Sequence, residues 1–226
     1  MCDFTIFLSL VRCNVVFYIF SDYNLISDFA QKCRNDIDNK LCGHVRRRMH
    51  SDSNNSPPFY HHSQGLVWEC LSKNIDQVES QCKEEILKIA ELQSDDFHLD
   101  RTLYFACKSD RQNLCAKVKS GEGRVFECLL SHKEDETMSE ECRVQLQRRQ
   151  KLAAENYKVS RGLVKACKEE IKTNKCKKQL RNENKTVRLA EILLCLEGKK
   201  LYRRCTEVRN YLDWHFYHQK RKKSAI

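Results

Sequence analysis

The sequence predicts an all-α protein in which tandem disulfide-stapled helical repeats form an elongated array. Three observations support this prediction: the 226 residues include only 6 Gly and 2 Pro, they include 14 Cys, and most of these cysteines recur at regular intervals. Average usage would give about 16 Gly and about 11 Pro, so turn-dense β-sandwiches are disfavoured. No sustained alternation of apolar and polar residues, the pattern typical of strands, is found. The composition therefore favours helix-rich units.

The N-terminal segment, residues 1–21, is apolar and lies mostly outside the repeats. Its two apolar runs, 4–11 and 15–20, are separated by Arg12 and Asn14. The segment lacks a basic start and a small-residue cleavage site, so it is a poor signal peptide. It is also too short and interrupted for a membrane span, which needs about 20 apolar residues. We therefore expect no convincing signal peptide and no transmembrane span in this chain.

The most informative feature of the sequence is an internal repeat with a period of about 60 residues. Residues 22–33 read DYNLISDFAQKC, residues 96–107 read DFHLDRTLYFAC and residues 156–167 read NYKVSRGLVKAC. In each copy three further cysteines follow, and the third cysteine of each set lies in an apolar patch: GLVWECL, GRVFECL or ILLCL. The disulfide candidates are thus three sets of four: Cys33, Cys42, Cys70 and Cys82; Cys107, Cys115, Cys128 and Cys142; Cys167, Cys176, Cys195 and Cys205.

The repeats divide the remainder of the chain into four parts. Repeat 1 spans residues 22–94 with a loop insertion at 43–64, repeat 2 spans 95–154, repeat 3 spans 155–212, and a basic tail spans 213–226. The insertion contains both prolines of the chain and a run of Ser and Asn. This composition predicts an exposed loop.

Apolar residues within the repeats follow the period of an α-helix. In the second and third copies of the first segment, apolar side chains at i, i+4, i+7 and i+8 lie on one helix face. A second amphipathic stretch begins at Cys82, and its equivalent begins at Cys142. Thr137 followed by Glu140 predicts a capping box that opens the latter helix. Each unit is too small to bury a sufficient core alone, so disulfides and stacking on the next unit are expected to stabilise it.

The cysteines are predicted to form disulfides within their own repeats, in the oxidising secretory pathway. Structural zinc sites bring ligands in close pairs such as C-x2-C, whereas seven residues separate the closest cysteines here, Cys107 and Cys115. No metal and no cofactor are therefore expected. Four cysteines permit three pairings. We favour first with second and third with fourth, because the polar turn between Cys128 and Cys142 would fold two helices together.

The net charge of +10 raises the question of nucleic-acid binding. Residues 46–48 and 220–223 carry most of the excess positive charge, and the remaining chain is close to balanced. No nucleic-acid partner is therefore expected, and a solvated loop and a solvated tail explain the two clusters. A nuclear import signal, or a patch that binds phosphate or heparin, is the alternative for the tail.

No catalytic motif supports an enzyme. The sequence lacks G-x-S-x-G, P-loop and H-E-x-x-H motifs, and every repeat cysteine has an equivalent in the other repeats. His61-His62 and the pair His215 and His218 could bind a metal. Neither pair has a carboxylate or thiolate at ligand spacing, so solvated histidines are expected. No catalytic, metal-binding or cofactor-binding residue is therefore predicted.

Two sequons mark candidate N-glycosylation sites, Asn184 and Asn54. Pro57 follows the second sequon and is expected to hinder transfer there. Both matches could also arise by chance, because the pattern is short.

Three aromatic residues, Tyr23, Phe97 and Tyr157, recur at one position of the repeat. They could contact a ligand, but their place at a helix start in every copy favours packing anchors between units.

Six segments of the chain resemble those of a known family: SDYNLI, HSQG, SDDFHLDRTLYFAC, GEGRVFECL, MSEECR and YKVS. Over residues 17–212 the sequence resembles the repeats of the cysteine-rich fibroblast growth factor receptor family. The resemblance implies many repeats in the Golgi lumen, followed by one membrane span. The chain has three repeats, so the membrane anchor is implied by the family but not encoded here. Both ends resemble those of a truncated or mis-spliced gene model.

The resemblance implies a function as a non-enzymatic binding protein, on the lumenal side of the Golgi membrane. The implied partners are fibroblast growth factors and other secreted proteins or lumenal glycoproteins. The alternative is a structural scaffold or retention factor for secretory glycoproteins, without a dedicated ligand. Because such growth factors are basic, clustered carboxylates are candidate contacts: 95–96, 134–136 and 140–141. The other interpretation is that these carboxylates cap helices and stay solvated.

Overall fold

The computed structural model describes residues 27–40, Cys42, 63–179 and 186–218. Within these ranges every regular element is a helix or a helical turn, and no strand occurs. Three helical units follow one another, and two disulfides close each unit. The prediction of an all-α fold made of tandem disulfide-stapled repeats is confirmed.

Several predicted features lie outside the described residues. They are the N-terminal segment 1–21, Tyr23, the basic clusters 46–48 and 220–223, the candidate glycosylation sites Asn54 and Asn184, and His61-His62.

The described residues of repeat 1 form three α-helices and one helical turn. α1 (Ser27–Lys32) precedes a π-helical turn (Asp36–Lys40), and α2 (Ser63–Lys73) precedes α3 (Ser80–Gln93). The Asp36 carboxylate accepts a hydrogen bond from the backbone N–H of the residue just before α3, at 3.2 Å. This bond fixes the turn against the start of α3.

Repeat 2 has the same order of three helices. A 3-10 turn (Phe97–Leu99) leads into α4 (Arg101–Leu114), which is followed by α5 (Arg124–Ser131) and α6 (Glu140–Glu155). α4 packs along α6, and the shorter α5 connects them.

Repeat 3 follows this plan with shorter helices in its first half. Its described residues form a 3-10 turn (Tyr157–Val159), α7 (Arg161–Ala166), α8 (Lys168–Thr173), α9 (Cys176–Gln179), α10 (Leu189–Leu196), α11 (Arg203–Asp213) and a π-helical turn (Trp214–His218).

Side-chain caps start two of the three helices of repeat 2, α4 and α6. The Asp100 carboxylate accepts the N–H of the third residue of α4, and the Ser139 hydroxyl accepts an N–H in the first turn of α6. The predicted capping box of Thr137 and Glu140 is wrong. Thr137 instead donates its N–H and its hydroxyl to the Asp135 carboxylate, so it belongs to the turn before the helix. Ser139, two residues later, takes the capping position.

The disulfides are nested within each repeat. The first cysteine pairs with the fourth and the second with the third: Cys33–Cys82 and Cys42–Cys70, Cys107–Cys142 and Cys115–Cys128, Cys167–Cys205 and Cys176–Cys195. The predicted pairing of first with second and third with fourth is therefore wrong.

The helix geometry explains the correction. Cys107 lies within α4 and Cys115 directly follows it. Eight residues of α-helix extend about 12 Å, whereas a disulfide needs Cα atoms within about 7 Å. The packing of α6 along α4 instead brings the Cα atoms of Cys107 and Cys142 to 4.7 Å.

Two clusters of buried side chains form the core. One belongs to repeat 2 and includes Phe97 and Leu146. The other joins repeat 1 and repeat 3, for example through Phe29 and Leu163, and also takes in Leu152 of repeat 2. The units therefore stabilise one another by packing, as their small size requires.

Candidate partner-binding surface

The carboxylates of the first predicted acidic cluster, Asp95 and Asp96, already contact other groups of the protein. The Asp95 carboxylate forms an ion pair of 2.9 Å with Arg161 of repeat 3. Asp96 is buried, accepts the backbone N–H of His98 at 3.0 Å and lies 2.7 Å from Nδ1 of the same residue. Burial raises the pKa of Asp96, but the contacts with His98 outweigh it and lower the pKa below the ordinary value. This pair therefore joins repeats and caps a turn.

The turn between α5 and α6 is held in place by Asp135 and Arg143. The Asp135 carboxylate accepts the N–H and the hydroxyl of Thr137 at 2.9 and 2.7 Å, and these bonds lower its pKa. The Arg143 guanidinium donates to the backbone carbonyls of Lys133 and Asp135, at 3.1 and 2.5 Å. The turn thus has a fixed backbone.

Four glutamates on this turn and on the start of α6 are exposed: Glu134, Glu136, Glu140 and Glu141. We call this set the acidic corner. Glu140 has a long ion pair of 3.7 Å within its helix, yet its side chain remains 74% exposed. Residues 132–143 carry five carboxylates and two cations, so this segment has a charge of −3 in a chain of +10. Negative charge at the start of α6 also suits the helix dipole.

Both ends of the acidic corner are tied to α4 by disulfides. Cys128 in α5 is bonded to Cys115, and Cys142 in the first turn of α6 is bonded to Cys107. The carboxylates therefore stand on a braced hairpin. A braced surface loses little conformational entropy when a partner binds.

A buried ion cluster supports this hairpin from inside. Nη2 of Arg148 lies 2.7 and 2.8 Å from the two carboxylate oxygens of Asp100, and Nη1 of Arg149 lies 3.6 Å from one of them. Arg149 also donates to the carbonyl of Ala90 in repeat 1, at 3.0 Å. Burial lowers the pKa of Arg149 to about 10. Burial alone would raise the pKa of Asp100, but the two arginines hold it below its ordinary value.

Sequence reasoning missed this cluster, although a signal was present. Arg149 occupies the position in α6 at which α3 has Ile89 and α11 has Leu212, and both of these side chains are buried. An arginine at an apolar position of the repeat indicates a buried charge that needs a carboxylate partner.

One group of possible metal ligands occurs among the described residues. Ligand atoms of Cys115, Cys128 and His132 lie within 4.8 Å of one another. The two cysteines, however, are bonded to each other. Since the thiolate is the form of cysteine that binds metals, this group cannot coordinate an ion while the disulfide is intact.

The repeated aromatics that the structure describes, Phe97 and Tyr157, are both buried in the core. This agrees with their interpretation as packing anchors.

His215 is half-buried against the ring of Tyr211, with ring centroids 4.3 Å apart, and burial lowers its pKa. The side chain of its predicted metal-binding partner, His218, lies outside the described residues.

Comparisons with known proteins identify the repeats. A family described as "Cysteine rich repeat" matches residues 14–79, 80–137 and 140–207. Golgi apparatus protein 1 from Homo sapiens is 46% identical over 190 residues, which cover 80% of this chain and 15% of the relative. The protein of that name from Gallus gallus is also 46% identical over 190 residues, 80% of this chain and 16% of the relative.

A more distant relative, Golgi apparatus protein 1 homolog from Caenorhabditis elegans, is 40% identical over 191 residues, 79% of this chain and 16% of the relative. The chain thus spans about a sixth of the length of these relatives. No solved structure matches the chain. In the part of the chain that the structure describes, no helix is both long and apolar enough to span a membrane.

The matched segments start in a different register from the units closed by disulfides. Cys33 and Cys82, for example, are bonded to each other but lie in the first and second matched segments.

The relatives are named for the Golgi apparatus and the matched family for its cysteine-rich repeats, not for an enzymatic activity. These names place the family in the Golgi apparatus, as the resemblance implied. Because the matched segments cover most of the sequence, this chain belongs to the cysteine-rich repeat family.

Proposed function

We propose that this chain is a non-enzymatic binding protein of the Golgi lumen, and that its acidic corner binds basic secreted proteins such as fibroblast growth factors. The location is supported by the names of the relatives. The growth factor as ligand rests on the resemblance of the repeats. The observation that carries the proposed site is the exposure of four glutamates on a braced hairpin.

Local charge allows a basic ligand to approach although the whole chain is positive. At physiological salt, electrostatic interactions are screened beyond about 8 Å. A ligand near the acidic corner therefore responds mainly to the charges within that distance, and residues 132–143 there carry a net charge of −3. Complementary charge of this kind raises the rate of association and selects the partner.

The proposal is tested with the full chain, produced with intact disulfides, against a purified fibroblast growth factor. We expect saturable binding that weakens as salt is added. Replacing Glu134, Glu136 and Glu141 together by glutamine should lower the affinity about tenfold, because each partly screened charge contributes several tenths of a kcal/mol. The measurement is surface plasmon resonance at several salt concentrations.

A matched triple variant controls for total charge. Glu169→Gln, Glu197→Gln and Glu207→Gln remove three exposed carboxylates from repeat 3 and change the net charge equally. This control should bind like the unchanged chain. Equal losses in the two triple variants, or no loss in either, would contradict the acidic corner as the binding site. Absence of saturable binding at micromolar growth factor, together with co-purification of many lumenal glycoproteins, would favour the scaffold alternative.

A further inference from the structure

The loop between α4 and α5 packs directly on repeat 3. Gly121, Glu122 and Gly123 have φ angles of 94°, 61° and 74°, in a region that residues with a Cβ atom rarely adopt. A Cβ atom at Gly123 would lie 3.2 Å from the Cβ atom of Arg161 and 3.5 Å from the backbone nitrogen of Gly162. The close approach fixes the loop against the start of α7.

Glu122 joins cations of the two repeats. Its carboxylate forms an ion pair of 2.8 Å with Arg124 of repeat 2 and a second ion pair with Lys165 of repeat 3. The hydrogen bond from Lys165, together with the charges of Arg124 and Arg204, lowers the pKa of this carboxylate. Nε of Arg124 also donates to the carbonyl of Lys119, at 3.2 Å. We call these four cations the cationic junction, and with the one carboxylate at its centre it has a net charge of +3.

All four cations reach solvent, since three of the residues are exposed and the side chain of Arg124 is 38% exposed. Lys165 lies two residues before the first cysteine of repeat 3, and Arg204 lies one residue before the fourth. The residues at these positions of repeat 2, Phe105 and Glu141, are exposed as well, although repeat 3 packs on repeat 2. Exposure at these positions therefore follows from the fold of the repeat.

Further cations extend the cationic junction along repeat 3. The bond between Cys167 and Cys205 holds the backbone of Lys168 beside that of Arg204, because each residue adjoins one of the two cysteines, whose Cα atoms are 4.8 Å apart. Residues 199–204 carry four exposed cations and no carboxylate. Cations that extend over two repeats suit a linear polyanion better than a single small anion.

We infer that the cationic junction binds a sulfated polysaccharide. Lysine and arginine donate charge-assisted hydrogen bonds to oxyanions such as sulfate groups, and several such contacts along one chain add to the affinity. The relatives are named for the Golgi apparatus, and sulfated polysaccharides, not nucleic acids, are the linear polyanions of the secretory lumen. The inference rests on the proposed lumenal location but not on the acidic corner, which lies beyond the other end of α5.

Surface plasmon resonance of the full chain on immobilised heparin, with the disulfides intact, tests this inference. We expect saturable binding that weakens as salt is added. Replacing Lys119, Lys165 and Arg204 together by glutamine should lower the affinity about tenfold, because three charge contacts are lost. Heparin is the only ligand present, so the result does not depend on growth-factor binding.

A matched triple variant controls for the loss of positive charge. Its substitutions remove three exposed cations from repeat 1: Arg34→Gln, Lys73→Gln and Lys88→Gln. This control should bind heparin like the unchanged chain. Equal losses in the two triple variants, or no saturable binding by the unchanged chain, would overturn the inference.

Glu122→Gln separates a role of the junction in binding from a role in folding. The substitution removes the one negative charge among the four cations, so the affinity for heparin should rise about two- to threefold. A lower or unchanged affinity would overturn the inference. So would an oligonucleotide of equal charge that binds as tightly as heparin, or a loss larger than that of the junction variant when Lys220, Lys222 and Lys223 are replaced by glutamine.

Discussion

At the scale of single residues, a buried ion cluster in repeat 2 has the largest expected effect on stability. Asp100 is buried and faces two buried arginines, Arg148 and Arg149. Among the described residues, no other carboxylate lies within ion-pair distance of Arg148 or Arg149. The cluster also connects the start of α4 with α6, and through the carbonyl of Ala90 it connects repeat 2 with repeat 1. Removing its one carboxylate leaves two buried cations without compensation.

Asp100→Asn should lower the free energy of unfolding by about 3–5 kcal/mol, the usual cost of breaking a buried ion pair. The measurement is denaturant unfolding with the disulfides intact. Asp76→Asn is the control, because Asp76 pairs with Lys151 at 2.5 Å but is 55% exposed. This control should lose less than about 1 kcal/mol. Similar losses in the two variants would show that the buried cluster has no special role.

The two kinds of residue in the core differ in how well the sequence predicts them. Phe97 and Tyr157 recur in the repeat, and their burial follows from that recurrence. Arg149 breaks the repeat, since its equivalents are apolar. Its burial depends on Asp100, which caps the start of α4, and single-sequence patterns do not indicate which distant residues meet.

At the scale of helices, the nested disulfides determine how each repeat closes. The periodicity of apolar residues predicts the helices around Cys107 and Cys142, and both are present. The periodicity does not predict which cysteines are bonded to each other, because the bonds depend on how α6 packs along α4. Sequence separation favoured Cys107 with Cys115, whereas a helix holds these residues far apart.

Loss of either disulfide of repeat 2 should destabilise the chain, and loss of the outer one should do so more. Loop entropy alone gives about 4 kcal/mol for the outer bond, whose cysteines are 35 residues apart, and about 3 kcal/mol for the inner bond, whose cysteines are 13 apart. Cys107 and Cys142 are in addition fully buried, so replacing both by alanine also leaves a cavity. The inner pair, Cys115 and Cys128, is less buried, and its replacement by alanine serves as the comparison. Thermal unfolding checks the order, and a larger loss for the inner pair would contradict it.

At the scale of the whole molecule, contacts between repeats create one packed unit with an acidic corner on its surface. Packing between repeats was predictable from their small size, but the residues that form it were not. The clusters 95–96 and 134–136 appear alike in sequence, yet Asp95 and Asp96 are used within the fold while Glu134 and Glu136 are exposed. Exposure depends on the neighbouring repeat, so only the structure separates a candidate contact from an internal ion pair.

The nested pairing of cysteines closes the repeats and braces the acidic corner, so both the fold and the proposed binding site depend on it. Mapping of tryptic peptides without reduction tests it directly. A lysine or arginine lies between every two successive repeat cysteines, so digestion places each cysteine on its own peptide. We predict linked peptides that join Cys107 with Cys142 and Cys115 with Cys128, and the equivalent pairs in the other repeats. Linked peptides that join Cys107 with Cys115, or that join different repeats, would contradict the account.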